Sequence, residues 1–186
     1  MFIQTESTPN PATLKFLPGL TVLENGTADF PSIEDTEKSP LAAGLFTVAG
    51  VTGVFFGRDF ITITKEQASD WEHMKPALLG LIMEHFQSGK PIMLEADQGS
   101  GHAEHEGEDS VVVGQIKELL DSRVRPAVAQ DGGDITFFGF ERGVVYLQMQ
   151  GACAGCPSST MTLKMGIENL LRHYIPEVTE VRPVGI

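Results

Sequence analysis

The chain has 186 residues, 41% hydrophobic and 20% charged, with 20 Gly, 11 Pro and two Cys, which is the make-up of one or two globular domains and excludes a disordered or collagen-like chain. Thirteen basic against 25 acidic side chains give a formal charge of -12, which repels polyanions and argues against a nucleic-acid partner or an anionic membrane surface. Two Cys, at positions 153 and 156, cannot build the disulfide framework of a small secreted protein, so a reducing compartment fits and the thiols are read as reduced or metal-bound.

In chain order, Met1 to Pro9 carries no basic region, no apolar run and no Arg enrichment, so neither export nor organelle import is signalled. The bacterial cytoplasm is the expected compartment, and the mitochondrial matrix, as a mature form, is the alternative. Phe2 to Thr5 and Thr13 to Leu17 read as short strands around a Pro9-Asn10-Pro11 turn. Ser39 to Gly57 holds no charge for 19 residues, roughly the length that spans a bilayer. Pro40 and four Gly break that stretch, and its pattern changes near Gly50 from helical spacing to a β-rich run, so a buried helix followed by the strand Val51 to Phe56 is expected rather than a membrane span. Phe60 to Thr64 should pair with that strand across Gly57-Arg58-Asp59. Ser69 and Glu72 form a capping-box pattern for a helix carrying Trp71, Leu78, Leu79, Ile82, Met83 and Phe86 and ending near Gly89.

Residues 97–109, with five acidic and no basic side chains and no large apolar one, read as a flexible, self-repelling linker. It divides a first domain, 1–96, with six basic and twelve acidic side chains, from a second, 110–186, with seven and eight. In the second, Ser110 reads as the N-cap of a helix bearing Val112, Val113, Ile116, Leu119 and Leu120, which Pro126 interrupts or bends. Asp131-Gly132-Gly133-Asp134 makes a turn. Ile135 to Phe140 and Val144 to Gln150 form a hairpin across Glu141-Arg142-Gly143, with Val145, Leu147 and Met149 on one face. Phe137, Phe138 and Phe140 make both faces of its first strand apolar. Leu163, Ile167, Leu170, Leu171 and Tyr174 trace a helical stripe up to Pro176, and Val178 to Val184 returns as a third strand. The fold class is therefore α+β, two small mixed domains joined by a flexible acidic linker.

The chemistry concentrates at Gly151-Ala-Cys153-Ala-Gly-Cys156-Pro157, between a strand and a helix. Glycines permit a tight backbone there, and a helix N-terminus, with roughly +0.5 of a charge, favours thiolate over thiol. Three chemistries compete with simple packing of two buried Cys. Structural zinc needs four donors; His173 lies some 20 Å along the following helix at about 1.5 Å per residue, and His102 and His105 lie in the acidic linker. A thiol-disulfide oxidoreductase also uses Cys-x-x-Cys at a helix start, but here a hairpin precedes it where a βαβ crossover should. An iron-sulfur cluster takes four thiolates, so two chains donating Cys153 and Cys156 across a two-fold axis complete the set. A 4Fe-4S core so held carries about two negative charges, and two helix N-termini at about +0.5 each offset about half of that.

The run from Arg125-Pro126 through Asp131-Gly132-Gly133-Asp134 to the Cys loop and Ser158-Ser159-Thr160 resembles the C-terminal domain of NifU, shared by Nfu-type iron-sulfur carriers. Gln4-Thr5 through Thr8-Pro9-Asn10-Pro11, Lys15-Phe16, Phe56-Gly57 and Asp59-Phe60-Ile61-Thr62 resemble the N-terminal domain of Nfu proteins. The resemblance implies a non-enzymatic carrier. Cys153 and Cys156 would be the only ligands of a 4Fe-4S cluster bridging a homodimer, received from the assembly machinery and passed to apo iron-sulfur client proteins. The further cysteines of full-length NifU are missing, so its other domains are not implied. Met149, Met161 and Met165, which flank the loop, are assigned to packing, and Asp131 and Asp134 to a turn.

Overall fold

The computed structural model describes residues 1–94, 109–154 and 157–184, without the side chains of 157–159. The linker expected at 97–109, with His102 and His105, falls outside the described residues except for Asp109. Two compact units emerge, 1–100 and 101–186.

The first unit is a five-stranded antiparallel sheet with helices on one face. Its strands are β1 (Gln4–Ser7), β2 (Thr13–Leu17), β3 (Ala28–Phe30), β4 (Val51–Phe56) and β5 (Ile61–Lys65), in the order β1-β2-β5-β4-β3. The expected β4–β5 hairpin forms, pairing Val54 with Ile63 and Phe56 with Ile61. The uncharged stretch resolves into α1 (Pro40–Phe46), only seven residues long, followed by β4. Among the described residues no helix is long and apolar enough to cross a membrane. Ser39 caps α1 by accepting from the Ala42 N–H at 3.1 Å, with Pro40 at the first helical position. Helix α2 (Trp71–Ser88) starts one residue later than the capping box implies: Asp70 is the N-cap, accepting from the Glu72 N–H at 3.0 Å, while the Ser69 hydroxyl donates to Glu66. Gly89, at φ 68°, ends it. Leu41 and Leu45 of α1 and Met74, Leu78 and Ile82 of α2 close over Phe16, Phe56, Ile61 and Ile63 to form the core.

The second unit opens with α3 (Ser110–Leu119), whose N-cap is Asp109; Ser110 is the first helical residue. Pro126 does not break the chain's helical course. One π-helical turn, Leu120–Val124, absorbs the missing N–H before α4 (Arg125–Gln130), so that Leu120, Val124 and Val128 stay buried in one line. The turn after α4 is shorter than Asp131 to Asp134, because β6 (Gly133–Glu141) has already begun at Gly133. Strand β7 (Val144–Gly151) returns antiparallel across Arg142 and Gly143, both at positive φ, as a tight hairpin requires. A register shift between Phe137 and Gly139 settles the three aromatics: Phe137 and Phe140 enter the core and Phe138 is turned out to solvent. Helix α5 (Pro157–Tyr174) then carries the chain over to β8 (Glu180–Pro183), which pairs with β7 in parallel and gives the order β6-β7-β8. The α5 stripe buries Ile167 and Leu171 with Leu163 and Leu170 packed beside them; Tyr174 lies outside it, exposed.

Candidate functional site

Strand β7 ends in Gly151 at φ 64°, a left-handed conformation that suits glycine and bends the chain into the turn bearing Cys153. Two short bonds fix this turn. The Ala152 N–H donates to the Gly132 carbonyl and the Ala154 N–H to the Gly151 carbonyl, both at 3.1 Å. From the far side, the Thr160 hydroxyl on α5 donates to the Cys153 carbonyl at 3.2 Å. The Cys153 turn is thereby tied to the turn between α4 and β6, to its own strand and to the helix that follows.

Cys153 is 5% exposed and belongs to the core of its unit, among side chains that include Ile135, Leu147 and Ile167. Its sulfur lies against the bare Cα of Gly133: a Cβ built there would sit 2.6 Å from Cys153 Sγ, 2.8 Å from the Gln150 carbonyl oxygen and 3.1 Å from the Cys153 nitrogen. This explains why two glycines stand together. Gly132, at φ 82°, makes the turn, and Gly133, paired with Gly151 across the hairpin, makes room for the thiol. A turn alone needs one glycine, and the second was the sequence signal for a close approach.

Beside Gly133, Asp134 is 3% exposed. The Arg125 guanidinium donates to both its carboxylate oxygens, from Nε at 2.9 Å and from the terminal nitrogen at 2.8 Å, and the Ile135 N–H adds a third bond at 2.8 Å. Arg125 also donates to Asp121 at 2.9 Å. The hydrogen bonds to Asp134, ahead of those to Asp121, hold the Arg125 pKa above its ordinary value. Asp134 is thus more than a turn residue: it clamps the start of β6, against which Cys153 packs, to the first turn of α4.

Cys156, the other expected ligand, lies outside the described residues. His173 sits near the far end of α5, its ring edge-on to Tyr174, remote in sequence from the Cys153 turn. Among the described residues no group of three or more His, Cys, Asp or Glu is placed to hold a metal ion. The methionines divide. Met149 packs partly buried on the core, whereas Met161 and Met165 are 66% and 61% exposed, so the packing assignment fails for them. On α5 they occupy the side opposite Ile167 and Leu171, where the 3.6-residue period puts them.

Family models match both units: one described as "Scaffold protein Nfu/NifU N terminal" over residues 3–89, and one described as "NifU-like domain" over residues 116–182. Among curated proteins the chain is similar to the "NFU1 iron-sulfur cluster scaffold homolog, mitochondrial" of Homo sapiens, 54% identical over 185 residues, covering 99% of this chain and 72% of that protein. The protein of the same name from Drosophila sechellia is 53% identical over 185 residues. The chain spans 65% of the length of that relative. Among solved structures, a solution NMR structure of a NifU-like protein from Saccharomyces cerevisiae is 28% identical, covers 50% of this chain and 83% of that one, and gives a TM-score of 0.45.

Proposed function

We propose a carrier function from one premise: this chain belongs to the Nfu/NifU family of scaffold proteins. Its cargo is an iron-sulfur cluster, in the 4Fe-4S form, held between two subunits by Cys153 and Cys156 of each, received from the assembly machinery and released to apo iron-sulfur proteins. The observation that carries this reading is the likeness, over 99% of the chain, to proteins named as iron-sulfur cluster scaffolds. The chain brings two Cys where a cluster takes four thiolates, which supports sharing between copies. No catalytic residue is assigned. The working division is a partner-recognition domain at 1–96, an acidic linker at 97–109 and a cluster-binding domain at 110–186. The relatives named above are mitochondrial, which favours the matrix over the bacterial cytoplasm as the compartment.

The burial of Cys153 sets a condition on this reading. A thiol that is 5% exposed must turn outward to meet cargo shared with another chain. The segment that moves is the turn from Gly151 to Ala154, hinged on a glycine at positive φ. In the loaded form the sulfur leaves the Gly133 surface for the metal.

Anaerobic loading of the full chain with ferrous iron and sulfide tests the proposal. A brown dimer with about four irons is expected, and Cys153→Ala or Cys156→Ala should each abolish it. A wild-type chain that stays a colourless monomer overturns the carrier reading. Should it instead cycle a Cys153–Cys156 disulfide with turnover on a protein disulfide, the oxidoreductase alternative takes its place.

A further inference from the structure

We infer that Thr160 is a positioning residue: its hydroxyl latches Cys153 in the buried pose and so sets the balance between this closed turn and an open one in which the sulfur meets cargo. The inference rests on the carrier reading for what that cargo is, and it names the side chain that governs access to the thiol.

Hydroxyls on the other helical segments bond locally. Thr36, Ser88 and Ser122 each donate to a carbonyl three or four residues back, the ordinary habit of a helical Ser or Thr. Thr160 departs from this habit. It is the fourth residue of α5, yet its hydroxyl reaches seven residues back, past the start of its own helix, to the Cys153 carbonyl at 3.2 Å. The bond therefore serves the turn and not the helix.

The three bonds that fix the turn fare differently when it opens. The Ala154 N–H to the Gly151 carbonyl lies inside the turn and travels with it. The Ala152 N–H to the Gly132 carbonyl extends the ladder of β6 and β7 beyond the Gly133–Gly151 pair. The bond from Thr160 ties the residue that must move to a helix anchored in the core by Ile167 and Leu171. Cys153 is 5% exposed and enclosed by that same core, so a change of rotamer alone does not bring its sulfur out. The main chain has to turn, the Cys153 carbonyl turns with it, and the Thr160 bond breaks.

A sign follows from linkage. A ligand that binds only the open turn is held less tightly by the fraction of chains that are open, so whatever the latch adds to the closed turn is subtracted from the hold on cargo. Re-forming the bond then favours release, and it returns the thiol to a buried, unreactive pose.

The test labels the metal-free full chain carrying Cys156→Ala, in which Cys153 is the single thiol, with the chromogenic disulfide dithiobis(nitrobenzoate). Thr160→Val keeps the shape and removes the donor, and it should be labelled about fivefold faster. Thr160→Ser keeps the donor and should stay within about twofold of the parent chain, its freer rotamer and lost methyl being the only changes. The acceleration should hardly vary with urea below the unfolding range, because opening one turn exposes little surface. Equal rates for Thr160→Val and the parent overturn the inference. So does an acceleration that climbs with urea as steeply as unfolding of the whole unit, which makes Thr160 merely structural. In a second arm, Thr160→Val and wild type, both with Cys156 intact and in large excess, compete for limiting iron and sulfide. The brown fraction should hold about five variant chains for each wild-type chain, counted by mass spectrometry. Equal shares overturn the link between latch and cargo. A wild-type chain that takes up no iron sinks the carrier reading, while the labelling rates alone decide the latch.

Discussion

Gly133→Ala isolates the contact that shapes the Cys153 turn. The new methyl carbon would be placed 2.6 Å from Cys153 Sγ, 2.8 Å from the Gln150 carbonyl oxygen and 3.1 Å from the Cys153 nitrogen. The last two are backbone atoms of β7 and of the turn that follows it, and they cannot swing aside. Overpacking of a filled interior costs about 1–3 kcal/mol, and with backbone on two sides the upper half, about 2–3 kcal/mol, is expected. In a unit of this size about 1 kcal/mol moves the midpoint by about 4–8 °C, so the second unit should melt at least about 8 °C lower. The single Trp of the chain is Trp71, in the first unit, so tryptophan fluorescence provides an internal control that should not move, while far-UV circular dichroism follows the loss. The sulfur's share comes from repeating the substitution in a Cys153→Ala background, where the shortest clash is gone. The cost should fall by about 1 kcal/mol, a coupling of the size found between residues in contact. A Gly133→Ala chain within about 0.5 kcal/mol of wild type, or an equal cost in both backgrounds, would refute the claim that Gly133 is kept small for the thiol.

Two further substitutions probe the charged groups. Arg125→Met leaves Asp134, 3% exposed, without its guanidinium and should cost about 3–5 kcal/mol in urea unfolding of the second unit, whereas Arg125→Met combined with Asp134→Leu should recover most of it; a single-variant cost below about 1 kcal/mol contradicts the clamp described above. Asp29 on β3 has its pKa pushed up to about 6, by burial first and by the nearby Asp35 carboxylate second, against a lowering hydrogen bond from the Phe30 backbone. The folded state then holds a proton that the unfolded chain has released, so stability of the first unit falls as pH rises from about 4 to about 6 and stays reduced above that. Asp29→Asn should remove this slope and stabilise the first unit by about 2 kcal/mol at pH 7, with little effect at pH 3.5. Equal stabilisation at both pH values, read by tryptophan fluorescence, would be the contrary result.

The elements that depend on local pattern were legible in the sequence. Strand and turn signals gave both hairpins, and in the second Val145 and Leu147 enter the core with Met149 packed beside them, on the one face expected. What escaped depends on geometry that pattern does not carry. Ser69 and Ser110 satisfy a capping motif, yet the adjacent aspartates occupy the caps, and Ser69 is engaged with Glu66. Pro126 marked an interruption or a bend, but the π-helical turn that takes it up has no sequence signature of its own. Strict alternation cannot foresee the register shift that expels Phe138. At the site, the tight strand-to-helix turn was legible, but the depth of Cys153 and its dependence on Gly133 arise from a hairpin partner 20 residues upstream. Met161 and Met165 were misassigned because apolar character was taken as burial, while the helical stripe of Ile167 and Leu171 places them on the opposite side.

Strand β7 is central in its sheet, so the Cys153 turn leaves from a strand gripped on two sides by very different lengths of chain. Eight paired positions join it to β6, and four to β8, whose Val181 N–H is also latched to Glu168 on α5 at 3.2 Å. The shorter ladder is the weaker seam. Fraying should therefore start at Glu180–Pro183 and release the C-terminal half of α5 at Glu168 while the long hairpin stays zipped. Such a partial unlatching gives the Cys153 turn slack without melting the unit, which is the kind of motion that the proposed release of a cluster would use.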